Sequence, residues 1–349
     1  MGDERTPISA AAHFVHARLV WFLVGSYVLA ALWPGPGLRL RGVSLGTATL
    51  AGERVELSLP AVLLGFLLLN AGLGVRLPQA EGVFRRPFLL GAGLAANLIV
   101  PITFIAVIAL VFRWWPNPEE YRNMLVGLAL IAAMPIAGSS AAWSRTADGD
   151  LALSLGLILA STLLSPLTTP AVLRAVGAMA SGEQADDLRG LAGGGTGLFL
   201  ILCVALPSIV GILLRGTVGG KRVDAAGQLL KLTNAAVLLV LCYANASVAL
   251  PQAVAYPDPD YLVLSLVVTA GLCAAGFAAG WWVARRLRAD GGQETALMFG
   301  LGMNNNGTGL VLAATALADH PQTMLPVLFY NLIQHLTAGV VNNARKPTG

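Results

Sequence analysis

Cutting the chain at every Asp, Glu, Lys and Arg leaves ten uncharged windows of at least 19 residues: 19–38, 57–75, 87–112, 123–144, 151–173, 190–214, 232–257, 261–284, 295–318 and 320–344. A helix needs roughly 20 predominantly apolar residues to cross the hydrocarbon core of a bilayer. Within that core only helices and closed barrels satisfy their own backbone polar groups. The pattern therefore predicts an all-α integral membrane protein with ten transmembrane helices. Charged residues make up 11% of the chain, against about 25% in a soluble domain, so little is left for a soluble domain.

The charges that remain set the orientation. With loops numbered from the N-terminus, 15 Lys and Arg residues fall on one side, including Arg76, Arg145, Arg215 and Arg345, and 7 on the other. The positive-inside rule then places both termini in the cytoplasm, in a multi-pass protein of the cell inner (plasma) membrane. The net charge of +4 is scattered through these loops and implies no nucleic-acid partner. The first apolar run ends in LWPGPG, with no small-residue cleavage site, and is expected to remain as a helix. Cys203, Cys242 and Cys273 lie in different apolar windows and read as packing residues.

The long polar connector in mid-chain, Arg174 to Gly195, has five windows before it and five after. Two repeats with an odd helix count must be inverted relative to one another. The expected organisation is a first repeat over 1–174, an extracytoplasmic connector over 175–195 and a second repeat over 196–349. The fourth window of each half is interrupted: LIAAMPIAGSSAAWSRTADGD in the first and LMFGLGMNNNGTGLVLAA in the second. Asn304, Asn305 and Asn306 are costly at bilayer depth unless something polar uses them, and the glycines around them weaken the helix. Irregular backbone there belongs beside a cavity or inside protein. Ser139, Ser140, Asn304, Asn305, Asn306 and Thr308 are thus the candidate solute-binding residues. Pro135 alone would read as a kink, and Ser139, Ser140 and Ser144 as packing serines; the pairing of the two interruptions favours a shared site.

The stretch Pro135 to Pro170 resembles the signature region of the bile acid:sodium symporter family, matching at Ser140, Gly149, Asp150, Ser154, Ser161, Thr162 and Pro166. Further likenesses are Asn70 to Pro87, GMNNNG at Gly302 to Gly307 and LPVLFYNLIQHLTAG at Leu325 to Gly339. The resemblance implies a panel domain and a core domain, fourth and ninth helices that unwind and cross at the bilayer centre, flanking sodium sites and a nearby organic anion. Carried over, the ion positions include Ser140, Ser154 and Asn304. Four others depart from the family pattern: Ala141 for asparagine, Ile158 for threonine, Gly300 for glutamate and Ala96 for glutamine. Without the glutamate, neutral oxygens must hold the cations alone, so sodium coupling is in question. Glu294, about 9 Å upstream of Gly300 along a helix, lies near the cytoplasmic surface.

His335, in the last apolar window, is a candidate for proton coupling or a hydrogen-bonded core histidine. Asp150 reads as a helix N-cap, and Arg145 can reach Asp148 or Asp150. No HExxH, GxSxG, intramembrane carboxylate pair or P-loop is present, so neither an enzyme nor an ATP-driven pump is expected. An arsenite exporter of related fold would want a thiol near Ala137. The reading is a secondary transporter of a small organic anion with no cofactor. The alternatives are a sodium-independent or proton-coupled carrier, and a non-transporting sensor on the same fold.

Overall fold

The computed structural model describes residues 11–12, 14–15, 18–50, 52–75, 86–180, 182–317 and 320–345. Its main helices are α1 (Leu19–Leu32), α2 (Gly35–Arg41), α3 (Leu59–Leu73), α4 (Pro87–Val111), α5 (Pro118–Ala133), α6 (Ser139–Thr146), α7 (Leu151–Gly177), α8 (Glu183–Gly193), α9 (Thr196–Val218), α10 (Gly220–Ala225), α11 (Gly227–Ala255), α12 (Pro259–Arg286), α13 (Gly291–Gly302), α14 (Asn306–Ala316) and α15 (Leu325–Arg345). Helix starts follow from side-chain caps: Ser58, Asn117, Asp150, Asp258 and Asn305 each accept from a backbone N–H of the first turn. Asp290 and Gln293 form a reciprocal capping box.

Each of the ten uncharged windows carries helix, but among the described residues only six helices are long and apolar enough to cross a membrane uninterrupted. A seventh is counted if α1 and α2, bent by 98°, form one span. The shortfall has local causes. Helix α3 has 15 residues, about 22 Å of rise, and the fourth and ninth windows are broken. The fourth holds α5 and α6 and the ninth α13 and α14.

Two features depart from the sequence reading. The all-α expectation misses an antiparallel hairpin, β1 (Ser44–Leu50) and β2 (Glu53–Ser58), turning at Gly52 with φ of +85°. The segment 175–195 holds a further helix, α8, whose Leu188 and Leu191 are buried.

Many of the closest helix contacts fall in two sets, which are joined where α9 packs along α7. In one, α3 packs on α9 and α11 on α1. Close approach comes from Gly72 and Gly211: a Cβ on Gly72 would strike Ser208 O, and one on Gly211 would strike Leu69 O. In the other group α12 packs on α13, α15 and α4, and α7 on α4 and α5. Helix α14 reaches across to α3 and α11, so the second break lies where the groups meet.

Candidate functional site

Breaking two helices frees backbone groups that must find partners inside a low-dielectric interior. The two breaks largely satisfy one another. Ile136 and Asn304 form an antiparallel bridge, in which Ala137 N–H donates to Met303 O at 2.9 Å and Asn305 N–H donates to Pro135 O at 2.8 Å. Side chains take the rest. Ser161 Oγ accepts from Ile136 N–H at 3.1 Å and Gln334 Oε1 from Asn304 N–H at 3.0 Å. Asn304 Nδ2 donates to Ile131 O at 3.0 Å, Thr169 Oγ1 to Ala133 O at 2.6 Å, and Tyr330 Oη to Gly302 O at 3.2 Å. Each unmade bond of this kind would cost about 1–3 kcal/mol. The crossing is thus a braced joint, with the fourth and ninth windows paired as the resemblance implies.

Beside the joint lies a cavity of about 240 Å³. Asn70 and Ser208 line it from the first helix group, and Arg145, Thr162 and Asn305 from the second. Much of the remaining wall is hydrocarbon, including Leu68, Val75 and Leu155. The predicted site residues divide around this space. Asn305 lines it, and its Oδ1 caps α14 by accepting from Thr308 N–H. Ser139 is half-buried at the start of α6. Ser140, Asn304, Asn306 and Thr308 are buried beside the joint. Ser140 Oγ, Asn304 Oδ1, both amide atoms of Asn306 and Thr308 Oγ1 have no hydrogen-bond partner among the described residues. Ser154 Oγ donates to Ser144 Oγ at 2.9 Å. Asn305 is among the cavity-lining residues and Ser140 is not.

The four departures from the family's ion positions come together. Ala96, Ala141 and Ile158 pack into one apolar cluster with Leu157, Leu301 and Ile136. A Cβ on Gly300 would meet Leu157 Cδ1 at 3.1 Å. Apolar side chains thus stand where the resemblance implies carboxylate and amide oxygens, and Ala141 and Ile158 also line the cavity. Glu294 is bound elsewhere, between Arg345 and Arg285, the latter at 3.3 Å.

His335 is buried, and Trp143 Nε1–H lies 3.4 Å from its Nδ1. In that contact the indole N–H is the donor and Nδ1 the acceptor. Asp150 caps α7 by accepting from Leu153 N–H at 3.0 Å, as its position predicts. Among the described residues neither Asp148 nor Asp150 makes an ion pair with Arg145. Arg145, Asn70 and Ser208 as cavity residues were not foreseen, since three separate elements bring them together. The likeness over Asn70 to Pro87 is seen only in part, because residues 76–85 lie outside those described.

Comparison with known proteins bears on this geometry. The chain is 27% identical over 248 residues to the uncharacterized protein YbaS of Bacillus subtilis (strain 168), covering 70% of this chain and 76% of the relative. It is 22% identical over 281 residues, 80% of each chain, to the uncharacterized sodium-dependent transporter YocS of the same organism. Residues 61–256 match the family described as the Sodium Bile acid symporter family. That span covers more than half of the chain and includes the first break and the cavity-lining parts of α3, α6, α7 and α9. With several apolar helices and a paired helix crossing, this multi-pass membrane protein belongs to the sodium bile acid symporter family of membrane transporters.

Proposed function

We propose that this protein is a secondary transporter that moves a small organic anion by alternating access around the crossing, without using sodium. The observation that carries the reading is the position of the cavity. It lies beside a braced helix break and between two packed helix groups. Rocking one group against the other would expose that space to either side while the joint stays intact. Asn305 and neighbouring amides and hydroxyls offer hydrogen bonds to a solute that leaves water. The apolar cluster at Ala96, Ala141, Ile158 and Gly300 supports the second half of the reading, since no carboxylate remains there to offset a cation's desolvation. YocS is named as sodium-dependent; this chain is proposed to share its fold and to differ in coupling.

In this reading the ten windows are ten spans in two inverted repeats, 1–174 and 196–349, joined outside the cytoplasm, with both termini inside. A C-terminal reporter active only outside the cytoplasm should be silent, and strong signal from it would contradict the orientation. Purified protein in liposomes should carry radiolabelled isovalerate or benzoate down a gradient in sodium-free buffer. Binding of these solutes with no flux would instead identify a sensor on the same fold.

A further inference from the structure

One charged side chain stands out among the described residues of the cavity wall. Among the described residues that line it, Arg145 is the sole ionisable side chain. It stands in the last turn of α6, about 10 Å along that helix from the break at Gly138. It makes no ion pair among the described residues. Its acidic neighbours in sequence are otherwise placed: Asp150 is the cap of α7, and Asp148 sits in an exposed turn at φ of +54°. Another arginine near α3 differs. Arg215 is neutralised by Asp224 at 2.9 Å and donates to Leu73 O at 2.9 Å.

From this asymmetry we infer that the solute is a monocarboxylate with a compact apolar body, and that Arg145 is the residue that selects its charge. The inference rests on the transporter reading and names the substrate class of the same cavity. A guanidinium presents a planar fork of N–H donors that matches a carboxylate in a bidentate pair. Between Arg145 and Asn305 the wall is largely aliphatic, with Leu68, Val75, Ala142 and Leu155 available to a hydrocarbon body. A volume of about 240 Å³ falls below the usual range of roughly 300–1,000 Å³ for drug-sized ligands, so the body is small. A dicarboxylate would bring a second charge with no further cation to meet it among the described lining residues. A neutral amide would leave the guanidinium without its counterion. Both are disfavoured by the same single charge.

The test uses the purified full-length protein in detergent. Thermal stabilisation is measured with isovalerate, cyclohexanecarboxylate and benzoate, with their primary amides and with glutarate. Binding to the native state raises the melting temperature by mass action. At least one monocarboxylate should stabilise saturably, while its amide and glutarate do not. Arg145→Gln should keep the unliganded melting temperature, because Arg145 is exposed and makes no ion pair among the described residues, and should weaken the acid's half-saturation on the order of tenfold or more. Arg145→Lys should retain part of the effect. A wild-type protein indifferent to every acid, or one stabilised equally by acid and amide, overturns the substrate class. An acid preference that survives in Arg145→Gln overturns the assignment to Arg145. Liposome flux separates the two layers of the account. Isovalerate flux unchanged in Arg145→Gln removes Arg145 and leaves the transporter. Stabilisation lost in Arg145→Gln, with no flux through the wild type, upholds the anion site and removes the transporter.

Discussion

On one side of the helix crossing, Asn70, Thr162, Ser208, Asn305 and Arg145 surround a cavity. Next to it, Ala96, Leu157 and Leu301 close into hydrocarbon, with Ile136, Ala141 and Ile158 belonging both to that cluster and to the cavity wall. The backbone joint that divides these regions is the same for both, hydrogen-bonded through Ile136 and Asn304. In the proposed reading, solute recognition and cation recognition can vary independently on a single braced crossing.

The largest expected effect is on the cavity side. Asn305→Leu should abolish uptake while the protein still folds, at a cost of about 1 kcal/mol for the lost cap of α14. Asn305→Ser keeps a capping oxygen, so it should retain stability and still cut uptake severely. Wild-type uptake in both variants would remove Asn305 from the solute path and break the contrast between the two sides.

The second effect lies on the dry side. Gly300→Glu places a carboxylate against Leu157 with no partner in the cluster. A buried charge without compensation costs about 3 kcal/mol or more, so the melting temperature should drop by the same amount in sodium and in potassium. Recovery specific to sodium would reveal a cation site that the apolar packing conceals.

Much of this architecture is legible in the residues, for physical reasons. Uncharged windows mark helices because a charge at bilayer depth is expensive. The breaks are visible because Pro135 cannot donate a backbone bond and because glycines beside Asn304 to Asn306 weaken a helix. The end of α7 is less clear, since Arg174 closes its window while the helix runs on to Gly177. The hairpin at Ser44–Ser58 escapes notice because its alternation is short and sits between two strong apolar runs. Arg145 in the cavity could not be seen in the chain either. A lone arginine beside Asp148 and Asp150 looks like a loop ion pair, and only the folding of α6 against α13 and α7 brings it to the cavity wall. Likewise each of Ala96, Ala141, Ile158 and Gly300 is visible as a missing oxygen. That Ala96, Ala141 and Ile158 then join one apolar cluster is a property of packing.

The smallest expected effect is the most decisive. If the dry side holds no cation, exchanging sodium for potassium at equal ionic strength offers nothing for the native state to bind differentially. The melting temperature of the purified protein should then be unchanged across a sodium titration, and isovalerate flux in liposomes should be the same in either salt. A saturable, sodium-specific rise in melting temperature would contradict the account. It would mean that Asn304, Asn306, Ser140 and the backbone carbonyls of the joint form a cation shell without a carboxylate.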